Sequence, residues 1–145
     1  MLKNIFVAID LDKSDTSLIR KAGEFALKFK SKLWLVHVAA PDPSFVGFDA
    51  GPQVERDHRA KVLRKEHVQL QRMANALKKK KITAKALLID GATVEMIIVE
   101  SKKLKADLIV MGYPKHGWLH KLFGQDTSRE VLKRSNVPVL LVPVK

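Results

Sequence analysis

The sequence predicts a doubly wound α/β domain: a five-stranded parallel sheet in the order 3-2-1-4-5, with helices on both faces and three layers in all. Three observations predict it. Short apolar runs alternate with longer stretches of helical periodicity, the pattern of parallel strands joined by right-handed crossovers. Within each run the apolar residues are consecutive rather than alternate, so the strands are expected to be covered on both faces. With 145 residues the chain can build one such core and little else, so residues 1–145 are read as a single domain.

The elements follow in order. Ile5-Phe6-Val7-Ala8-Ile9 ends at Asp10 and is the first strand. Asp12, Ser14 and Asp15 then offer helix-starting oxygens. Leu18, Ala22, Phe25, Ala26 and Phe29 recur at helical spacing, which predicts an amphipathic helix over residues ~14–30. Leu33 to Val38 is the second strand, and Pro41, Pro43, Gly47, Gly51 and Pro52 mark a loop after it. A long helix is expected from about Glu55 to Lys80, with Leu63, His67, Leu70, Met73, Ala74 and Leu77 on one face. Ala84 to Ile89 is the third strand, Asp90-Gly91 a turn, and Val94, Ile97, Ile98 and Ser101 the stripe of the next helix. Leu108 to Met111 is the fourth strand. A loop from Gly112 to Gly124, a helix over about Ser128 to Arg134 and a strand from Pro138 to Val142 complete the chain.

Composition limits the function classes. Hydrophobic residues make up 46%, which fits a packed domain rather than a disordered one. The longest apolar run, Val137 to Val144, is strand-sized and broken by two prolines, far short of a membrane span. The chain opens directly on a strand, so no secretory leader is expected, and cysteine is absent; a cytoplasmic location is the expectation. The net charge is +12, with Lys78 to Lys81 consecutive and Lys102, Lys103 and Lys105 close together. Both clusters precede strands and are read as solvated helix C-termini, where cations meet the negative pole of the macrodipole. No recognition motif or stacking platform accompanies them, so neither a nucleic-acid nor a membrane partner is expected.

In an open parallel sheet the ligand crevice lies beyond the carboxyl ends of the strands, where the winding reverses. That places Ala8, Ile9 and Asp10 on one side and Met111 and Gly112 on the other. No G-x-S-x-G elbow, G-x-x-x-x-G-K-[ST] loop or H-E-x-x-H helix occurs, so no catalytic residue is assigned. His116 and His120 are four apart, but Gly117 and Pro114 argue for a loop and no third ligand is evident, so no metal site is assigned. His37 is read as a hydrogen-bonded strand histidine and His67 as a histidine on the apolar face of the long helix. Asp10 and Asp126 would hold magnesium only if they met at the crevice. Trp118, Leu119, Leu122 and Phe123 form an apolar cluster that either packs inward or meets a partner.

The ordered set Asn4 to Asp10, Val36-His37-Val38 with Pro41, Asp90-Gly91, Ala106 to Gly112, and Val131-Leu132 through Asn136 to Pro143 resembles the universal stress protein family over nearly the whole chain. The resemblance implies a dimeric cytoplasmic stress-response protein, with ATP bound in some members and not in others. It also implies that Ala8, Ile9, Asp10 and Val38 hold the nucleoside. ATP-binding members carry G-x2-G-x9-G-[ST] after the fourth strand. Here Gly112 fits, but Lys115 and Gln125 replace the later glycines and Asp126 the hydroxyl residue. A gapped reading through Gly117 and Gly124 still leaves Gln125 at the hydroxyl position. Phosphates in such loops lie against bare backbone N–H groups, and a carboxylate beside a triphosphate repels it unless a metal intervenes. Lys115 compensates in part. Thr127 to Glu130 reads as a capping box with Thr127 at the N-cap; alternatively the N–H groups at Thr127 and Ser128 receive an anion.

Weak or absent ATP binding by a noncatalytic protein is therefore the leading expectation, with no certain cofactor. The alternative is an ATP- and magnesium-binding sensor. The final strand, Val139–Val142, is an apolar edge that invites pairing, and the family resemblance implies an isologous homodimer through it; protein partners are a further expectation.

Overall fold

The architecture is that of a computed structural model, which describes residues 1–39, 52–114 and 125–144. Five strands, β1 (Asn4–Ala8), β2 (Lys32–Ala39), β3 (Ala84–Asp90), β4 (Leu108–Pro114) and β5 (Val139–Val144), alternate with α1 (Asp15–Phe29), α2 (Pro52–Lys79), α3 (Thr93–Lys103) and α4 (Gln125–Arg134). All neighbouring strands are parallel, in the order β3-β2-β1-β4-β5. The sheet is therefore the one expected.

β1 is central, with Phe6 opposite Trp34 on β2 and Ile109 on β4. Its side chains alternate between two cores. Ile5, Val7 and Ile9 pack with Leu18, Ala22 and Ala26 of α1 and Leu70, Ala74 and Leu77 of α2. Phe6 and Ala8 pack on the other face with Ile97 and Ile98 of α3 and Val131 of α4. Consecutive apolar residues thus reflect a strand with no wet face. Each buried side chain of this size contributes about 1.5–3 kcal/mol.

The helix boundaries and faces bring four corrections. On α1, Leu18, Ala22 and Ala26 are buried, but Phe29 is 46% exposed, its ring stacked on Phe25. Lys30 closes α1 in the left-handed region at φ 55°, its N–H donating to the Ala26 carbonyl, a C-cap made without glycine. α2 begins at Pro52 rather than Glu55; proline suits a first helical position, where no N–H partner is required. His67, expected on the apolar face of α2, is exposed. α4 begins at Gln125 rather than Ser128. Thr127 therefore lies inside the first turn and is not the N-cap, whose backbone must be non-helical. β4 also continues past Met111 to Pro114, so Gly112 is a strand residue paired with Val142.

Gly91 makes the turn between β3 and α3. Its φ is 146°, and a Cβ there would come within 2.9 Å of Met96 Cγ. Both facts require glycine.

Candidate functional site: the β1/β4 crevice

β1 and β4 are adjacent, with Ile5–Val7 paired to Leu108–Val110, so both carboxyl ends open onto one crevice. Ile9 prolongs β1 by one bond, its N–H donating to the Val36 carbonyl at 2.8 Å. The chain then turns away through Leu11, which is left-handed at φ 63°. What holds this turn is Asp15, from the first turn of α1. Its carboxylate accepts the Asp10 N–H at 3.0 Å and the Asp12 N–H at 3.1 Å. The Asp12 carboxylate in turn accepts the Ser14 N–H at 2.8 Å and the Ser14 hydroxyl. The acidic and hydroxyl residues read as helix starters thus stabilise the strand-to-helix turn; Ser14 itself makes no side-chain cap.

Three carboxyl groups in one turn perturb one another. Burial, the hydrogen bond to Asp12 and the charges of Asp12 and Asp15 push Asp10 up to about 8, so it carries its proton at neutral pH. Burial likewise pushes Asp15 up to about 6, its backbone hydrogen bonds opposing the rise and the Asp12 charge adding to it. A protonated Asp10 is both a donor and an acceptor.

Among the described residues the crevice holds one small cavity. Ala8, Asp10, Leu18, Gly112 and Val144 are among the residues enclosing about 10 Å³, room for about one water. Asp10 and Gly112, 102 positions apart in the chain, do share this wall. Val144 borders it: a Cβ on Gly112 would lie 3.5 Å from both Val144 methyl carbons, so the last residue of β5 lies against the glycine. A pocket for a small organic ligand encloses about 300 Å³ or more.

Of the residues expected at the site, Ala8, Asp10 and Gly112 meet here. Ile9 is fully buried toward α1 and α2, whereas Val38 and Met111 are core side chains under α3 and α4. Thr127 and Ser128 lie in the first turns of α4. Ser128 is 2% exposed, and among the described residues its hydroxyl has no hydrogen-bond partner. Of Gln125 and Asp126 only the backbone, in α4, is described; Lys115 and Gly117 lie outside the described residues, as do His116, His120 and the Trp118–Phe123 cluster. Among the described residues no group of three histidine, cysteine or acidic side chains is placed to hold a metal.

Two braces hold this edge. His37 is the hydrogen-bonded strand histidine expected, with partners the sequence did not name, and Arg59 was not singled out. His37 Nδ1 lies 2.7 Å from the Ile9 carbonyl oxygen, and its Nε2 lies 3.1 Å from Glu66 Oε2 on α2. The ring therefore ties the end of β1 to the covering helix. Arg59, also on α2, donates to the Ala39 carbonyl at 2.9 Å and to Asp90 Oδ1 at 2.8 Å, joining the ends of β2 and β3. A lone histidine in an apolar strand signals a buried partner, but its identity depends on how α2 crosses the sheet.

Residues 1–143 match the family model described as Universal stress protein family. The chain belongs to that family. Over 142 residues it is 31% identical to the Thermus aquaticus universal stress protein in the QAH/OAS sulfhydrylase 3′ region, covering 98% of this chain and 99% of the relative. The solved structure of hypothetical protein MJ0577 superposes with a TM-score of 0.81 at 21% identity, covering 100% of this chain and 98% of that one. A universal stress protein from Archaeoglobus fulgidus, solved in complex with dAMP, superposes with a TM-score of 0.63 at 19% identity, with 100% of each chain covered. This family member shares their doubly wound sheet. Among the described residues no helix of this universal stress protein is long and apolar enough to cross a membrane.

Proposed function

We propose that this universal stress protein is a noncatalytic, cytoplasmic stress-response protein that acts as a homodimer, with ATP binding at the β1/β4 crevice weak or absent. The observation that carries the reading is Val144 against Gly112, beside a cavity that among the described residues has room for about one water. The irregular residues after β4 support it, because Lys115, Gln125 and Asp126 stand where a phosphate loop needs bare backbone and a hydroxyl. The dAMP complex of the Archaeoglobus fulgidus protein supports the ligand class. β5 supports the dimer: it is an edge strand, and Val139, Leu140 and Leu141 are only half-buried.

One observation favours a second reading, a nucleotide-dependent sensor. Among the described residues the buried Ser128 hydroxyl lacks a partner, at the helix end where backbone N–H groups attract anions. Such a group costs about 1–3 kcal/mol unless something satisfies it. In this reading a phosphate lies against α4 near Thr127 and Ser128, assisted by Lys115, with magnesium offsetting Asp126.

Calorimetry with ATP and magnesium, and separately with dAMP, distinguishes the two. Weak binding predicts dissociation constants above about 10⁻⁴ M, tightening about tenfold in Val144→Ala. Saturable ATP binding near 1 µM or tighter, on the order of 8 kcal/mol, would replace the first reading with the second. Light scattering on the same sample should give the mass of a dimer; a monomer at micromolar concentration removes that part.

A further inference from the structure

In a parallel sheet every strand starts, and every covering helix ends, at the same edge. Lysine clusters that are far apart in the sequence therefore meet there. Backbone bonds show how closely the four connections at this edge abut. The Lys32 N–H donates to the Lys3 carbonyl, and the Leu33 N–H to the Thr83 carbonyl, each at 2.8 Å. On the other side, the Asp107 N–H donates to the Asn4 carbonyl at 2.8 Å and the Ile109 N–H to the Pro138 carbonyl at 2.9 Å. The loop after α2 thus abuts the loop after α1, which abuts the N-terminal residues, which abut the loop after α3.

Each connection brings cations. α1 ends on Lys28 and Lys30, and β2 begins with Lys32. α2 ends in Lys78 and Lys79 and continues into Lys80 and Lys81, all four exposed. α3 contributes Lys102 and Lys103, followed by Lys105. α4 closes on Lys133 and Arg134. Few acids face them. Asp107 is occupied by the N–H groups of Lys3 and Asn4, at 2.8 and 2.9 Å; Glu100 pairs with Lys103 at 3.4 Å and Glu130 with Lys133 at 3.7 Å. Most of the net charge of +12 is thereby gathered on the edge opposite the crevice.

The same edge exposes apolar side chains. Leu27 and Phe29, in the last turn of α1, are 59% and 46% exposed. Phe29 stacks on Phe25 with ring centroids 6.0 Å apart, and both line a shallow hollow of about 360 Å³ with Lys21, Lys28 and Glu24, whose carboxylate pairs with Lys21 at 2.9 Å. Leu27 and Lys80 also border an open groove of about 580 Å³ between α1 and α2. Lysines alone would suit any polyanion. Lysines interleaved with exposed leucine and phenylalanine suit an anionic bilayer surface, where the cations meet headgroups and the apolar side chains enter the acyl boundary.

We propose that the strand-start edge, where Lys80 shares a groove with Leu27 and Lys28 a hollow with Phe29, is a docking surface for anionic lipid membranes. The complementarity is between a convergent lysine pole and a negatively charged headgroup plane, with Phe29 as the apolar anchor.

The test is co-sedimentation of the full chain with vesicles of phosphatidylglycerol and phosphatidylcholine in equal parts, beside vesicles of phosphatidylcholine alone and a duplex DNA of mixed sequence. The protein should pellet with the anionic vesicles at about 0.1 M salt and be released as salt rises and the screening length shortens. It should not pellet with the neutral ones. K78Q/K79Q/K80Q/K81Q removes four exposed charges and should weaken vesicle binding by about 10²- to 10³-fold. Phe29→Ser should weaken vesicle binding severalfold and leave DNA binding unchanged. Equal pelleting with both vesicle types, or none with either, overturns the proposal. DNA binding tighter than vesicle binding, with Phe29→Ser without effect on either, overturns it in favour of a nucleic-acid partner.

Discussion

Asp15 and Asp107 do the same job at opposite edges of the sheet, and their carboxyl groups respond in opposite ways. Each accepts two backbone N–H groups from a neighbouring stretch of chain: Asp15 those of Asp10 and Asp12, Asp107 those of Lys3 and Asn4. Backbone donors favour the ionised form in both cases. At Asp107 they prevail, with the N-terminal ammonium and Lys3 assisting, and the group is held below the usual carboxylate range. At Asp15 burial and the Asp12 charge outweigh them, and the group is pushed up to about 6. The hydrogen bonds are alike; the burial, first, and then the charges around them are not. The strand-end edge concentrates carboxylates around a turn, whereas the strand-start edge concentrates lysines, so one geometry gives two titrations.

Removing Asp15 should cost the most stability. Asp15→Ala leaves the Asp10 and Asp12 N–H groups without this acceptor in a part-buried turn, and chemical denaturation at pH 7 should show a loss of about 1–2 kcal/mol. Asp15→Asn keeps a carbonyl oxygen for one of them and should lose less. If the two variants are equally stable, the turn is not held by this side chain.

Asp10 sharpens the comparison through pH. Its folded value is raised from 3.8 to about 8, so the folded chain keeps a proton that the unfolded chain releases. The associated stability is complete below about pH 4 and is lost as pH rises through about 8. Asp10→Asn cannot titrate. It should flatten the fall in melting temperature between pH 5 and 8 and gain on the order of 1–3 kcal/mol over the parent at pH 8, an amount reduced by solvent screening at a half-buried site. A parallel shift of both curves would remove Asp10 as the titrating group.

Asp107 should behave in the opposite sense and more weakly. Its value is lowered, so its contribution is present above about pH 4 and disappears as acid protonates it. Asp107→Asn should cost no more than about 0.5–1 kcal/mol at pH 7, and nothing below about pH 3, as read by denaturant midpoints at the two pH values. A loss that persists in acid would assign its role to packing rather than charge.

Most of the fold was legible because its signals are local. Ile5 to Ile9, Leu33 to Val38 and Leu108 to Met111 are apolar at every position, and only a strand covered on both faces needs that. The strand order followed from the alternation of strands and helices together with the handedness of crossovers. The site was legible as a location and not as a shape. Asp10 and Gly112 could be paired from topology, but the placing of Val144 against the glycine depends on the β4–β5 register, in which Gly112 stands beside Val142 and Pro114 beside Val144. Asp15 was recognisable as a residue suited to a helix start; that its carboxylate reaches back to Asp10 depends on the left-handed turn at Leu11. Phe29 fits the apolar stripe by spacing and fails it by exposure, because periodicity does not record what covers each position. His37 and Glu66 are 29 residues apart, and no local pattern joins them.

Val144 belongs to two surfaces at once. It is the final rung of the sheet's outer strand and also borders the small cavity of the crevice, so neither surface can be redesigned in isolation. A substitution chosen to loosen or tighten association along that strand would reset the volume beside Gly112, and a cavity-opening substitution would fray the strand's last pairing. Anyone measuring one property in a variant of this residue has perturbed the other, and the two readouts belong in the same experiment.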